Sequence, residues 1–417
     1  RNCRVAAPRY LSLVTIHPKA PVPAMLTRNF LLILLGNVTL GAAMPMLIVL
    51  GVLAGAWLAP ADWLATAPTS MSLIAGIAVA SPLSLFMGRY GRRAGFLLGA
   101  VALMAGGTLA AMALIWGSFA LLCLAHVVMG SALVCVNYFR FAAAEAVAEA
   151  LRPQAISFTL ASGLVAALIG PELFTWTRDS LAPTPLAGAY GAIVTLGALG
   201  ALPVLGLTRM RVDTPAPTGP QWSRLRTLIT TNPAIATAIG IAALSQAIMV
   251  LLMTPTPLAM VGCGFVEDRA ADVIRWHVVA MFAPGFFTGS LIKRFGAGRI
   301  AATGLTLIVL AGLVAWSGLS LGNFYLALVL VGIGWNFGFV AGTYMLQTSV
   351  SAEDAPLLQG ANDTLLAIAA SVASLLSGAL YAGIGWEALA ALSMPITAGL
   401  GLMLLRANRR AATRVEP

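Results

Sequence analysis

The sequence predicts an all-α membrane protein with 12 transmembrane helices in two pseudo-symmetric six-helix bundles. Three observations carry this. Hydrophobic residues make up 59% of the 417-residue chain and charged residues only 9%, with a mean hydropathy of +0.92, whereas soluble domains carry about 25% charged residues. The length has room for about a dozen spans, each needing about 20 apolar residues. A short basic turn, Gly88-Arg89-Tyr90-Gly91-Arg92-Arg93, returns in altered form as Lys293-Arg294-Phe295-Gly296-Ala297-Gly298-Arg299. Arg294 and Gly296 each stand 205 positions after Arg89 and Gly91. Such a turn does not sit in hydrocarbon, so both copies mark loops on one face, and their recurrence reads as an internal duplication.

Residues 1–28 are polar, basic and proline-containing, and are expected to form an N-terminal cytoplasmic tail. The opening Arg1 in place of Met suggests a fragment or a misplaced start, and the lack of an apolar core before a cleavage site predicts no removable signal peptide. Residues 29–207 form the first predicted bundle, with helices near 29–57, 66–87, 94–115, 118–140, 154–176 and 186–207. Residues 208–232 hold Arg209, Arg211, Pro215, Pro217, Pro220, Arg224 and Arg226, and read as a cytoplasmic linker. Residues 233–405 form the second bundle, with helices near 233–259, 274–292, 300–319, 323–348, 364–383 and 387–405, and 406–417 a C-terminal cytoplasmic tail. Gln154 and Gln359, again 205 apart, add to the duplication. The 42 glycines and 23 prolines fit membrane helices, where close packing and alternative partners accommodate them. Pro255 and Pro257 in the seventh helix and Pro284-Gly285 in the eighth predict breaks, serving either as hinges with exposed carbonyls or as static kinks.

A formal charge of +10 would suggest nucleic acid in a soluble protein, but its distribution points to a bilayer. Of the 24 Lys and Arg, only Arg178, Arg269 and Arg275 fall on the face away from the basic turns. That bias is expected to place both termini of the multi-pass chain in the cytoplasm. No nucleic-acid partner is expected, and the chain is read as a monomer. Cys3, Cys123, Cys135 and Cys263 lack metal-ligand spacing and read as packing residues, so neither a disulfide framework, a metal nor a cofactor is expected. With no P-loop, His-Glu-x-x-His or Gly-x-Ser-x-Gly, enzymatic and ATP-driven functions are not expected, and no selectivity ring marks a channel. A non-transporting receptor or scaffold is the alternative to a transporter.

These residues resemble the major facilitator superfamily from about Met25 onward. That family's loop between helices two and three reads Gly, three residues, Asp, Arg or Lys, one residue, Gly, Arg, Arg or Lys. Here Ser84, Gly88, Arg89, Gly91, Arg92 and Arg93 stand at those places, and four of the six match. The second copy keeps Gly289, Arg294 and Gly296, with Lys293 at the acid position. His126, Met129 and Gly130 stand where the fourth helix of the family has Arg-x-x-Gln-Gly. Gly163 and Gly170-Pro171 partly match a pattern frequent in proton-driven efflux members, with Glu172 and Leu173 in place of its trailing glycines. Trp276-His277 through Phe286-Phe287-Thr288-Gly289, and Gly334-Trp335-Asn336-Phe337, resemble a bacterial subgroup of undefined substrate.

The resemblance implies a secondary transporter of a small molecule working by alternating access, with proton-coupled efflux as the first reading and proton-coupled uptake of a metabolite or vitamin as the second. It also implies that helices one, four, seven and ten line the central cavity. The polar and aromatic residues on those helices include Asn37, Thr39, His126, Asn137, Tyr138, Gln246, Thr254, Thr256, Trp335, Asn336, Thr343, Tyr344 and Gln347. Amides and hydroxyls there suit a neutral solute and aromatic rings a stacked one, although each also reads as interhelical glue. Glu172 and His126 are the candidates for carrying protons, the former on the expectation that desolvation raises its pKa, the latter because His titrates near physiological pH. With Gly88 and Lys293 where the family has acids, a cytoplasmic gate is expected to join Arg89, Arg92, Arg140 and Arg294 to other carboxylates: Glu145, Glu149, Glu353, Asp354 and Asp363.

Overall fold

The computed structural model describes residues 26–208, 222–351 and 354–413. The N-terminal tail, most of the linker, Glu353 and the last four residues lie outside them. The described residues are helical throughout, with short turns. In the first half, α1 (Arg28–Gly41) and α2 (Ala43–Leu58) make one broken span, followed by α3 (Ala67–Tyr90) and α4 (Arg92–Trp116). Then α5 (Phe119–Asn137) and α6 (Phe139–Glu145) make a second broken span, before α7 (Arg152–Thr177) and α8 (Ala187–Leu205). A helix inside the expected linker, α9 (Trp222–Thr231), leads to α10 (Pro233–Met253) and α11 (Thr256–Gly262), then α12 (Glu267–Phe282) and α13 (Gly285–Phe295). The chain closes with α14 (Ala297–Trp316), α15 (Leu321–Thr348) and α16 (Ala355–Thr413), so helix runs on into the region expected to be a C-terminal tail.

Local chemistry explains many of these boundaries. Thr27, Ser118, Asn232 and Ser320 each accept a hydrogen bond from a backbone N–H in the first turn of the helix they precede, the usual work of an N-cap. Pro45 cannot donate to the Gly41 carbonyl and its ring crowds it, which accounts for the break between α1 and α2. Pro255 and Pro257 separate α10 from α11 in the same way, and Pro284 separates α12 from α13, as the sequence predicts. The break at Tyr138 has no such local cause.

Among the described residues, ten stretches are long and apolar enough to cross a bilayer. One of them, Leu357–Leu404, has 48 residues, about 72 Å of helix at about 1.5 Å per residue, against a hydrocarbon core of about 30 Å. Gly385, with φ 77° and ψ 176°, breaks it, so it accounts for two crossings. The eighth expected span, α12 with α13, is less apolar than these, because Glu267, Asp268, Arg269, Asp272 and Arg275 crowd its start. Glu267, Asp268, Asp272 and Arg275 have specific partners, described below.

The halves pack internally through small residues, since lipid supplies no hydrophobic drive between helices. A Cβ on Gly304 would meet the Gly334 carbonyl oxygen at 2.7 Å, and one on Gly334 the Gly304 oxygen at the same distance, so α14 and α15 cross at backbone contact. In the first half, Phe96 of α4 and Phe139 of α6 are fully buried and stack at 4.0 Å. Between the halves, α7 packs on α12, α3 on α16, and α2 on α11 and α12. These contacts lie toward the end opposite the basic turns, termed the outer end below. At the basic-turn end α13 packs on α14 and α15 of its own half. The bundle is therefore drawn together at the outer end.

Candidate transport site

Asn37 of α1 is buried and its amide donates to the Thr159 carbonyl (3.0 Å) and Ser162 Oγ (2.9 Å) on α7. His126 of α5 is fully buried. Its Nε2 lies 2.8 Å from the Tyr190 hydroxyl and its Nδ1 3.1 Å from Ser72 Oγ. Ser72 Oγ also donates to the His126 carbonyl at 2.9 Å. With the serine proton spent there, Nδ1–H donates to Ser72 and Nε2 accepts from Tyr190, an assignment drawn from the network. Both ring nitrogens are thus engaged, tying α3, α5 and α8 together. For His126 to take up a proton, Tyr190 must first let go of Nε2.

On the second half, Asn336 of α15 is buried; its Oδ1 accepts from Thr288 (2.7 Å) and its Nδ2 donates to the Met281 carbonyl (2.8 Å), bracing the α12–α13 break. Thr254, at the α10–α11 break, is fully buried and its Oγ1 has no partner among the described residues. Trp335 of α15 donates its indole N–H to Gln246 Oε1 of α10 at 2.7 Å. Its ring stacks on Phe339 at 5.0 Å and meets Phe282 edge-on at 6.2 Å. Gln246 and Phe339 are partly exposed, so an amide and an aromatic face are presented together. Asn137 and Tyr344 are exposed. Tyr138 donates to the Ala80 carbonyl at 3.3 Å.

At the basic-turn end, Arg92 is buried and grips Glu145 with two hydrogen bonds, Nη2 to Oε1 at 2.7 Å and Nε to Oε2 at 3.2 Å. The Tyr138 ring lies 5.5 Å from its guanidinium carbon. Arg89, Arg140 and Arg294 each lie over the aromatic ring of the next residue, Tyr90, Phe141 and Phe295. Glu149 pairs with Arg152 at 3.6 Å. Asp354 meets Arg224 of α9 at 2.6 Å, and Asp363 accepts from Gln359 and Asn362. Glu353 lies outside the described residues. Among the described residues, the structure thus brings Arg92 together with Glu145, while Arg89, Arg140 and Arg294 are not placed against Glu149, Asp354 or Asp363.

At the outer end, Glu172 of α7 pairs with Arg275 of α12, not with Arg178 nearby. Arg275 also holds Asp272 at 2.9 Å, and Asp272 accepts from the Tyr325 hydroxyl. Arg178 meets Glu267 at 3.0 Å and Asp268 at 2.9 Å. Sequence reading named Glu172 but none of its partners. The signal that could have found them was there: Arg178 and Arg275 defy the charge bias that sets the topology. No group of His, Cys, Asp and Glu among the described residues is arranged to hold a metal.

No family model matches the chain. It is 38% identical over 378 residues, covering 89% of this chain and 93% of the relative, to the riboflavin transporter RfnT of Brucella anthropi. It is 30% identical over 335 residues, 76% of each chain, to the uncharacterised MFS-type transporter YddS of Bacillus subtilis. The chain belongs to the major facilitator superfamily. Solved structures agree on the fold: the nucleoside transporter NupG superposes with a TM-score of 0.67 over 91% of this chain and 99% of that one, at 13% identity. A bacterial homologue of the lysosomal transporter Spinster, inward-facing and occupied, gives 0.66 over 92% and 96%, at 14% identity. The all-α membrane fold expected from sequence is thus established, and the chain is a multi-pass transporter.

Proposed function

We propose that this transporter carries riboflavin, or a flavin close to it, into the cell across the bacterial inner membrane, with protons as the coupling ion. The observation that carries this reading is the 38% identity to a riboflavin transporter along nearly the whole of both chains. The Gln246–Trp335–Phe339 group supports it. A planar heteroaromatic ring suits stacking on Phe339 or the Trp335 edge, and the Gln246 amide, whose oxygen is taken by the indole, keeps its NH2 to donate to a ring carbonyl. Import is favoured because a vitamin is a solute a cell gains from outside. The sequence motif behind the efflux reading, Gly170-Pro171, has a packing role that serves either direction. A Cβ on Gly170 would run into the Ala42 carbonyl oxygen and lie 2.6 Å from Pro45 Cγ, so that glycine seats α7 against the α1–α2 break.

The test is flux in proteoliposomes. With the cytoplasmic face inside, riboflavin should accumulate against its gradient when an inward proton gradient is imposed, and unlabelled riboflavin should compete. Absence of riboflavin flux from correctly inserted protein overturns the substrate; flux out of the cell-side compartment under an inward proton gradient restores efflux by antiport.

A further inference from the structure

Two recesses open side by side at the outer end and share a wall formed by Ala56 of α2 and Leu258 of α11. The first, about 500 Å³, is lined by Asp62, Cys263, Tyr381 and Glu387 among others. The second, about 430 Å³, is lined by Leu53, Trp57, Leu186 and Val261, together with the ion-paired Arg178, Asp179 and Glu267. Both volumes fall in the range of small-molecule sites, about 300–1,000 Å³. Neither recess is lined by Gln246, Trp335 or Phe339.

Local structure sets the backbone beneath the two carboxylates of the first recess. Asp62 opens a single 3₁₀ turn, Asp62–Leu64, which packs on α16. A Cβ on Gly55 would lie 2.0 Å from the Ala65 carbonyl oxygen, so the end of α2 is in backbone contact with the residue after that turn. Glu387 follows the break in α16 at Gly385. Beside it Trp386 is buried, its ring 5.5 Å from that of Phe324. Tyr381 donates to the Leu258 carbonyl at 3.3 Å, which ties the same wall to α11. Of the acidic residues at this end, Glu172, Asp179, Glu267, Asp268 and Asp272 are ion-paired. Asp62 and Glu387 have neither an ion pair nor a hydrogen bond among the described residues, and both line the first recess.

Ionised carboxylates accept hydrogen bonds and cannot donate them, so this recess suits a solute rich in O–H or N–H donors. Its neighbour offers an indole and aliphatic side chains, against which a planar ring packs. We propose that the two recesses form an outer docking site for a solute built of a planar ring and a neutral polyhydroxyl tail, the tail donating to Asp62 and Glu387 and the ring lying against Trp57. The inference rests on the flavin reading above and deepens it, since riboflavin has that build. A phosphate ester at the end of the same tail brings negative charge to two carboxylates and is repelled. The site therefore discriminates the free vitamin from its phosphorylated form before transport begins.

Cys263 lines the first recess and is exposed, which makes it a reporter. In a Cys123→Ser background, right-side-out membrane vesicles are treated with a membrane-impermeant maleimide, and riboflavin should slow its reaction with Cys263. Lumiflavin, which keeps the ring without the polyol, and riboflavin phosphate should each need about tenfold higher concentration for the same protection, the loss expected for a charge-assisted hydrogen bond. Asp62→Asn and Glu387→Gln should each raise the riboflavin requirement about tenfold and bring riboflavin phosphate to within about threefold of riboflavin, because the repulsion is relieved. Protection should survive Gln246→Leu; its loss there would show that the thiol reports binding at the central group, and would overturn the outer site. Equal protection by riboflavin and its phosphate, or unchanged protection in both amide variants, also overturns it. If neither amide variant reaches the membrane, the comparison of the two flavins in the parent protein decides. Riboflavin flux without protection of Cys263 sinks the outer site and leaves the transport reading standing; protection without flux counts against the transport reading alone.

Discussion

At the scale of single residues, the site is built mostly from polar groups whose valences are already filled. His126 uses both ring nitrogens, so removing one partner exposes the cost of an unmet bond. Tyr190→Phe leaves Nε2 buried without a donor, which costs about 1–3 kcal/mol; a fall in the thermal midpoint of the purified protein checks it, and Ser72→Ala should fall on the same scale. Gln246 differs in having donors to spare. Gln246→Leu removes that donor and frees the Trp335 indole. Loss of one hydrogen bond of about 1.4 kcal/mol corresponds to about tenfold in affinity, so riboflavin binding, followed by quenching of its fluorescence, should weaken by about that factor. The amino-acid types at these positions were legible in the sequence. Which were filled was not, because the partners lie 48 to 125 positions away and meet only after the helices pack.

At the scale of elements, the two basic turns are alike in conformation as well as in spacing. Gly91 closes α3 and opens α4 at φ 87°, and Gly296 does the same between α13 and α14 at φ 85°. With ψ at 163° and 146°, both sit in or near an extended positive-φ region that only glycine adopts readily, at a cost of about 1–3 kcal/mol for other residues, so Gly91→Ala and Gly296→Ala should each lower stability by that amount, measured by denaturation in detergent. Gly170 makes a sharper case. Gly170→Val pushes two methyls into the Ala42–Pro45 corner; overpacking costs about 1–3 kcal/mol, and transport should fall further than stability if the corner moves in the cycle. A ratio of flux to folded protein equal to wild type would show a static joint. The proline breaks at Pro255 and Pro284 were readable from chain chemistry alone. Pro45 carried the same signal for the first span, and its meaning emerges only with Gly170 against it. The break at Tyr138 leaves no local trace, since neither proline nor glycine stands there.

At the scale of the whole molecule, duplication is faithful in the turns but not in what fastens them. Arg92 lies 7% exposed against Glu145, whereas the residue 205 positions on is Ala297, which has no charge to offer. The second half instead fastens Asp354 to Arg224 of α9, a helix of the segment that joins the two bundles. The basic-turn end of the first half is therefore held by a pair internal to it, and that of the second half by the connecting segment. This asymmetry predicts different consequences for breaking each. Glu145→Gln leaves a buried guanidinium short of its counter-charge; with Glu145 partly exposed the cost should fall below that of a fully buried pair, at about 1–3 kcal/mol. Arg92→Ala should still insert, because neighbouring basic residues preserve the charge bias, yet should impair transport. If the pair acts as one unit, Arg92→Ala combined with Glu145→Gln should lose no more flux than the worse single change, the non-additivity expected of residues in contact. Asp354→Asn should leave the first half untouched and act through α9, so its effect should add to that of Arg92→Ala in full. Flux measured in vesicles for these three singles and two doubles decides it: additive losses for Arg92 with Glu145, or a shortfall for Arg92 with Asp354, would show that the two ends are not fastened independently.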